Sequence, residues 1–438
     1  MKLLPRLSLL ALAFPLQAVA STPLRPNILY LVADDLGYAD LGAQGSTDIP
    51  TPHLDSIAKN GVRFTHGYVS APVCSPSRAG LITGRYQTRL GHELNHPMAD
   101  RAPVGMPVDQ KTAADWFKSA GYATAHIGKW HLGNPNLPQF APTARGFDHS
   151  VWSPGQNKLP PLTLWRNGRK ETADDAFVDL ALAREAADYI ARHPSAPWFM
   201  YLAFLTPHEP MNLPPGAEES FSTISAEKRR KCAAMISLLD QGVGRVLQAL
   251  RDSGQEERTL VIFHSDNGAP PGNGSVNTPL RGHKNTLWEG GIRAPFVLQW
   301  KGTVPAGRVV DAPILSIDIL PTALAAANVR VPAEAKLDGA NLLPFLTGKI
   351  ATPPERTLFW RYGQQHAIRQ GDWKFVRASD SSAKPPVLKT GLYDVVRDPA
   401  EAHDRAAEHP EKVRALEALW REWDRQNVPA LWGNESTR

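Results

Sequence analysis

The sequence predicts an α/β fold, in which a large mixed, mostly parallel sheet is sandwiched by helices. A smaller C-terminal α+β subdomain with a short antiparallel sheet follows it. Short, continuous apolar runs recur along the chain, as strands buried on both faces require. Helical patterns lie between several of these runs, the alternation expected of a mostly parallel sheet. After about residue 350 the texture changes to hairpin-like segments and one amphipathic helix.

The first strand is read over NILYLVA (27–33), and VRFTHGYVS (62–70) and YATAHIG (122–128) follow. PWFMYLAFL (197–205), TLVIFHS (259–265) and APFVLQW (294–300) complete the set for the main sheet. Helical spacing marks LDSIAKNG (54–61), TAADWFKSAG (112–121), residues 177–193 and residues 228–251. Further on, TLFWRYGQQHAIRQGDWKFVRA predicts two antiparallel strands around a turn, and GLYDVVRDPAEAHDRA a third strand with a loop. PEKVRALEALWREWDRQ closes the chain as a helix. The expected division is a leader over 1–20, a main domain over 21–350 and a subdomain over 351–438.

The leader is MKLLPRLSLLALAFPLQAVA. Lys2 and Arg6 precede an apolar stretch, and Ala18-Val19-Ala20 forms a small-residue cleavage site. The apolar core is shorter than the roughly 20 residues a membrane span needs. It holds no cysteine for a lipid anchor, and no later segment is apolar enough to span. The expectation is a periplasmic or secreted protein, cleaved after Ala20, without stable membrane insertion. Among 438 residues, 42% are hydrophobic and 21% charged, an ordinary globular balance. The net charge is +5, and losing Lys2 and Arg6 leaves +3, too little to argue for nucleic acid. The basic cluster EKRRK (227–231) reads as a solvated helix face.

Only two cysteines are present, enough for at most one disulfide. Cys232 has the spacing of a core-facing helical residue. Cys74 is the odd one, set in the Pro/Ser turn APVCSPSRAGLITGRY. Ser75 is a candidate N-cap, Pro76 suits the first helical position and Gly84 the stop. Cys74 and Arg78 would then share a helix N-terminus that favours negative charge, and on that ground Cys74 reads as a low-pKa thiolate.

Polar residues follow the strands in a consistent way. Asp34 and Asp35 follow the first, and Cys74 with Arg78 the second; Lys129 and His131 come next, then His208, then Asp266 and Asn267. In open parallel sheets, ligands bind outside the carboxyl ends of the strands. Asp34, Asp35, Asp266 and Asn267 offer only hard oxygen ligands, which suit Ca²⁺ or Mg²⁺. Adjacent carboxylates can reach one ion only where the chain turns, and DDLGYADLG supplies such a loop. A thiolate is a poor ligand for such an ion, so Cys74 does not fit as it stands. Lys129, His131, His208 and Lys284 add cations and proton carriers, the makings of a site for a tetrahedral oxyanion. HELNH (92–96) matches the zincin pattern, but Gly91 and Pro97 flank it and disfavour the helix it needs. Sequons at Asn273 and Asn434 are expected to be silent in a bacterial protein.

CSPSRAGLITGRY resembles the C-x-P-S-R…T-G-R signature of type I sulfatases, the formylglycine-dependent sulfate-ester hydrolases of the alkaline-phosphatase-like superfamily. GKWHLG (128–133) is similar to the family's second signature. ADDLGYADLG, SDNG (265–268), LRGHKNTLWEGGIRAP (280–295) and LYDVVRDPAE also resemble family segments, so the likeness runs from about residue 24 to the C-terminus. The resemblance implies that a maturation enzyme oxidises Cys74 to formylglycine, whose hydrated form is a hard oxygen ligand. It implies that Asp34, Asp35, Asp266, Asn267 and residue 74 hold Ca²⁺. Arg78 and Lys129 would stabilise the diol with His131 nearby, Lys129 and Lys284 would bind the sulfate, and His208 would protonate the leaving oxygen. One diol oxygen then attacks sulfur and expels the alcohol, and His131 deprotonates the second hydroxyl so that the aldehyde re-forms. The family's further sulfate-contacting serine has no counterpart in register. GFDHSVWSPGQN offers Gln156 and Asn157 near that place, with Ser153 out of register.

The function implied is hydrolysis of sulfate monoesters, of carbohydrates in preference to small aryl compounds. A phosphomonoester or phosphonate hydrolase on the same scaffold stays open here. So does a catalytically silent sulfated-glycan-binding protein, should Cys74 remain a thiol.

Overall fold

Strand Asn27–Asp34 runs through the middle of the molecule with every residue buried. Its side chains alternate between two cores. Leu29, Leu31 and Ala33 join one cluster, with Leu182, Ile236 and Leu239 from the helices Val178–Arg192 and Glu227–Asp252. Ile28, Tyr30 and Val32 join the other, with Ile82, Phe117 and Leu320 from the opposite helical layer. Period-two alternation inside a fully apolar run is what a strand sandwiched by helices requires. Each such buried aliphatic side chain contributes about 1.5–3 kcal/mol. The computed structural model describes residues 25–97, 104–154 and 158–433. The leader 1–20, Gln156, Asn157 and Asn434 lie outside the described residues.

One half of the ten-stranded sheet reads Arg308–Val310, Val62–Phe64, Phe296–Gln299, Thr259–Ser265, then Asn27–Asp34. The other half continues Trp198–Pro207, Ala123–Gly128, His149–Trp152, Leu162–Arg166, Arg169–Ala173. Around the centre the strands are parallel, with Asn27–Asp34 between Trp198–Pro207 and Thr259–Ser265. The mixed, mostly parallel sheet is therefore as expected, with two local corrections. Phe296–Gln299 is antiparallel to both its neighbours, pairing Phe296 with His264. Residues 266–295 thus leave and re-enter the sheet at one edge, which keeps Lys284 at that edge. The run 62–70 also divides: Val62–Phe64 joins the main sheet, whereas Gly67–Tyr68 pairs with Ile314–Leu315 in a separate ribbon.

The C-terminal sheet is antiparallel, in the order Thr357–Tyr362, Gln365–Gln370, Trp373–Asp380, Val387–Asp394. Residues 357–378 hold three strands where two were expected. Both turns have only two residues, and Gly363 (φ +56°) and Gly371 (φ +58°) supply the left-handed backbone such turns need. The closing helix, Pro410–Asp424, buries Leu416 and Trp423, and Trp423 stacks on Phe359 at 5.1 Å. Arg229, expected on a solvated face, instead ion-pairs with Asp40 (2.5 Å) and Asp48 (2.7 Å) and fastens the loop after the first strand. Among the described residues no helix is long and apolar enough to cross a membrane.

Candidate active site

The carboxyl edge of the parallel strands delivers the polar residues to one place. Asp34 ends its strand, and Asp35 follows with φ +69°, a left-handed turn that brings the second carboxylate back beside the first. Asp266 and Asn267 follow Thr259–Ser265, where the Asp35 N–H donates to Asp266 Oδ1 (3.1 Å) and Asn267 Nδ2 to Asp35 Oδ1 (2.7 Å). Gly268 is needed here, because a Cβ would lie 1.8 Å from the Gly290 carbonyl oxygen. Gly128 (φ +105°) is needed in the same way, since a Cβ would meet the Ala203 oxygen at 1.8 Å. The Lys129 N–H then donates to that oxygen (2.8 Å) and its side chain turns over the strand ends.

Cys74 is the first residue of helix Cys74–Thr83, with Val73 as its N-cap. The N-cap therefore lies two residues before the expected Ser75, and the helix starts at Cys74 in place of Pro76. Ser75 Oγ donates to the His131 carbonyl (2.6 Å) and receives His92 Nε2 (2.6 Å), while Asn95 Oδ1 accepts from the Ser75 N–H (3.0 Å). HELNH is not helical. His92 is spent on Ser75, Glu93 on Arg361 (2.7 Å) and His96 on the Val104 carbonyl (2.6 Å), so the segment is a scaffold for the Cys74 turn. Both cysteines are buried and free.

The charges interlock closely. Lys129 Nζ sits on Asp34 (2.6 Å), and Lys284 Nζ on Asp35 (2.7 Å) and 3.3 Å from Cys74 Sγ. Arg78 lies fully buried against Asp266 (2.7 Å), with Asp34 at 3.4 Å and the Tyr201 hydroxyl at 3.2 Å. The Cys74 thiol donates to Asp34 Oδ1 at 3.4 Å. His208 presents Nε2 to Asp35 at 3.6 Å and donates Nδ1–H to the Glu209 carbonyl (2.6 Å). His131 (φ +55°) is half-buried nearby, and its two ring nitrogens are buried with no partner among the described residues. All the sequence-predicted site residues inside the described range thus converge, His131 through its backbone contact with Ser75.

Burial opposes the charge on Asp34, but Lys129, His208, Arg78 and Lys284 outweigh it and hold its carboxyl well below the usual range. Asp266 moves the other way, raised by burial and by Asp34 despite Arg78. Burial, followed by Asp266, pushes the Cys74 thiol well up, against Lys129. The low-pKa thiolate is therefore corrected: desolvation and three carboxylates outweigh the helix terminus. Burial, then Lys129 and Arg78, keeps His131 neutral.

Asp34, Asp35, Cys74 and Asp266 place ligand atoms within 4.8 Å of one another. That spread suits a common centre about 2.3–2.6 Å from each, the range of calcium–oxygen bonds. Asn267 Oδ1 is buried without a partner. An orphaned amide oxygen beside crowded carboxylates fits a hard cation better than it fits a closed core.

Sequence reasoning missed Tyr201, Asn95, Tyr362 and the buried Lys158. Burial lowers the Lys158 ammonium to about 8, and Nζ donates to the Pro210 carbonyl (3.2 Å) just beyond His208. Tyr201 and Tyr362 sit in predicted strands and Asn95 in HELNH, but nothing local marks any of the four as a site residue; only the three-dimensional convergence reveals them. Asn273, one of the two sequons, is fully buried and donates to the Pro207 carbonyl at 3.4 Å.

Residues 26–329 match the family model described as Sulfatase, and residues 283–426 that described as N-sulphoglucosamine sulphohydrolase, C-terminal. N-acetylgalactosamine-6-sulfatase of Canis lupus familiaris is 33% identical over 386 residues, 81% of this chain and 72% of its own length. Arylsulfatase A of Homo sapiens is 33% identical over 475 residues, 95% of this chain and 90% of its own. The crystal structure of Ps i-CgsB is 32% identical with a TM-score of 0.87, covering 94% of this chain and 96% of its own. It has also been solved in complex with k-i-k-neocarrahexaose.

Proposed function

The chain belongs to the type I sulfatase family, has its alkaline-phosphatase-like fold and is a sulfuric ester hydrolase; within that class we propose that it desulfates carbohydrates after export, using a formylglycine made from Cys74 and a bound Ca²⁺. The carrying observation is the meeting of Cys74 with Asp34, Asp35, Asp266, Arg78, Lys129 and Lys284. Three carboxylates face three cations, so adding a dication leaves a net positive charge, which attracts the anionic sulfate monoester and the further negative charge that develops as the ester bond breaks.

Asp34, Asp35, Asp266 and Asn267 would hold the ion, which when bound polarises and orients the oxygens brought to it. Formylglycine at residue 74, made by a maturation enzyme of the host, supplies a hydrated aldehyde oxygen as nucleophile. Arg78 fixes Asp266 and Asp34 in place and shares with Lys129 the stabilising of residue 74. Lys129 and Lys284 take sulfate oxygens as point charges. The Nδ1–H of His208 is tied to a carbonyl, so Nε2 is the nitrogen left to hand a proton to the departing oxygen. His131, neutral and with unpartnered nitrogens, is suited to accept the proton from residue 74.

A carbohydrate substrate is favoured by the relatives named above and by an adjacent cleft. This cavity of about 570 Å³ is lined by Leu94, Asn95, Tyr362, Gln364 and Trp432 among others. Asn95 also holds the Ser75 N–H, and the Tyr362 hydroxyl donates to Asn285, so the cleft adjoins the neighbours of Cys74 and Lys284. Aromatic faces with a few amides are the usual lining for sugar rings. We assign the domains as 21–350 and 351–438, with the leader removed after Ala20.

The test is sulfate release from a panel of defined sulfated saccharides, with aryl sulfates and phosphate esters as comparators. The reading expects a sulfated saccharide to have the highest kcat/KM. A phosphate ester or simple aryl sulfate in that position would overturn it.

A further inference from the structure

Lys284 comes from the loop 266–295, and two of its attachments lie on the main domain. The Lys284 N–H donates to the Ala269 carbonyl and the Asn285 N–H to the Pro72 carbonyl, both at 3.0 Å. These tie the loop to the Asp266 and Cys74 segments. The far side of the loop is held by the C-terminal sheet. Gln365, 8% exposed, serves three backbone groups with one carboxamide. Its Nε2 donates to the Asn285 carbonyl (2.8 Å), and its Oε1 accepts from the Leu287 N–H (3.2 Å) and the Ser379 N–H (3.1 Å). Tyr362, on the preceding strand, donates its hydroxyl to Asn285 Oδ1 (3.2 Å). Asn285 has φ +72°, a left-handed conformation that persists only where surrounding contacts enforce it.

We propose that Gln365 and Tyr362 are positioning residues for Lys284. The hairpin of the C-terminal sheet clamps Asn285, through its carbonyl and its side chain, and the Leu287 N–H, so that the adjoining Lys284 keeps Nζ 2.7 Å from Asp35 and 3.3 Å from residue 74. The subdomain thus completes the anion site without supplying a group that touches sulfate. The chemistry of the clamp explains its residue types. A buried carboxamide is costly unless its oxygen and nitrogen are both satisfied, and here they are satisfied by the backbone that flanks and follows Lys284. The proposal rests on the reading that Lys284 binds sulfate.

A double-mutant cycle tests it on the full-length, matured protein. Gln365→Glu keeps the acceptor for Leu287 and Ser379 while removing the donor to Asn285 and adding a carboxylate charge, for which the uncharged second variant is the control. Tyr362→Phe removes only the hydroxyl. Binding of inorganic sulfate by calorimetry and kcat/KM on one sulfated sugar are measured for each variant, alone and with Lys284→Ala, with thermal melts as the fold control. Each single variant is expected to weaken sulfate binding and kcat/KM by roughly three- to tenfold, the effect of one lost hydrogen bond. In the Lys284→Ala background that loss should vanish. The same fold-loss in both backgrounds, or none in either, overturns the proposal. Unchanged sulfate affinity in Lys284→Ala alone would instead remove its premise, and the proposal with it.

Discussion

Among the described residues, two of the clusters of buried charge are built to opposite ends. One is the site at the strand edge. The other joins the main domain to the C-terminal sheet, where Lys374 Nζ, fully buried, bridges Glu289 (2.9 Å) and Glu401 (3.0 Å). Glu289 also accepts the Tyr68 hydroxyl (2.6 Å) and faces Arg293 (3.4 Å), and Arg369 reaches Tyr68 from the C-terminal sheet. The Glu289 N–H in turn donates to Glu401 (2.7 Å). Each carboxylate of the interface cluster therefore meets a cation within the cluster. The site cluster leaves the Asn267 oxygen and both His131 nitrogens unanswered. Where buried charge is fully paired it fastens two parts of a fold; where it is left incomplete it marks a place prepared for something else.

Removing one member from each cluster should separate the two roles most sharply. Cys74→Ala is expected to lower kcat/KM by at least about 10⁴-fold, as loss of a nucleophile does, with the melting temperature retained. Substantial residual turnover would break the contrast. Lys374→Met strands two buried carboxylates and should cost about 3–5 kcal/mol in denaturant unfolding, with turnover per folded molecule retained. Chelation should act on the site alone. Stripping Ca²⁺ is expected to abolish turnover and lower stability by about 2–3 kcal/mol relative to saturating ion, with calcium restoring both and melts of Lys374→Met shifting equally.

The smallest effect is one of pH. Burial pushes Glu401 up to about 7 against Lys374, from an ordinary value near 4.5. Between those values the folded chain keeps a proton that the unfolded chain has released. This group's contribution is therefore present below 4.5 and lost as pH rises towards 7. Glu289 opposes it, since Lys374, Arg293 and Arg369 overcome burial and hold it near 2, so its contribution fades only in acid. Glu401→Gln should flatten the fall in stability between pH 5 and 7 by up to about 2 kcal/mol. An unchanged slope would place the proton elsewhere.

How much of this could be read from sequence follows the same division. Asp34, Asp35, Lys129, His208 and Asp266 each follow an apolar run, so strand ends and chemistry were legible together. Cys74 was legible as a residue out of place, although its helix starts earlier than the Ser75 cap suggested. Arg169–Ala173 (RKETA) forms an edge strand with no buried residue, so no apolar signal marks it. Phe296–Gln299 looks like any other apolar run, because direction within a sheet is set by where the preceding loop returns. Tyr362 and Gln365 were invisible because their meaning lies in Asn285 and Leu287, some 77 and 78 residues earlier in the chain.

The central claim is that the incomplete cluster is completed at residue 74 by an oxygen in place of sulfur. Peptide mass spectrometry of the active protein tests this directly at the segment 71–85. The peptide should have the mass expected when the Cys74 CH₂–SH group is replaced by an aldehyde, and it should react with a hydrazide probe. An unmodified Cys74 peptide, from a preparation that turns over sulfate esters at full rate, would contradict the claim.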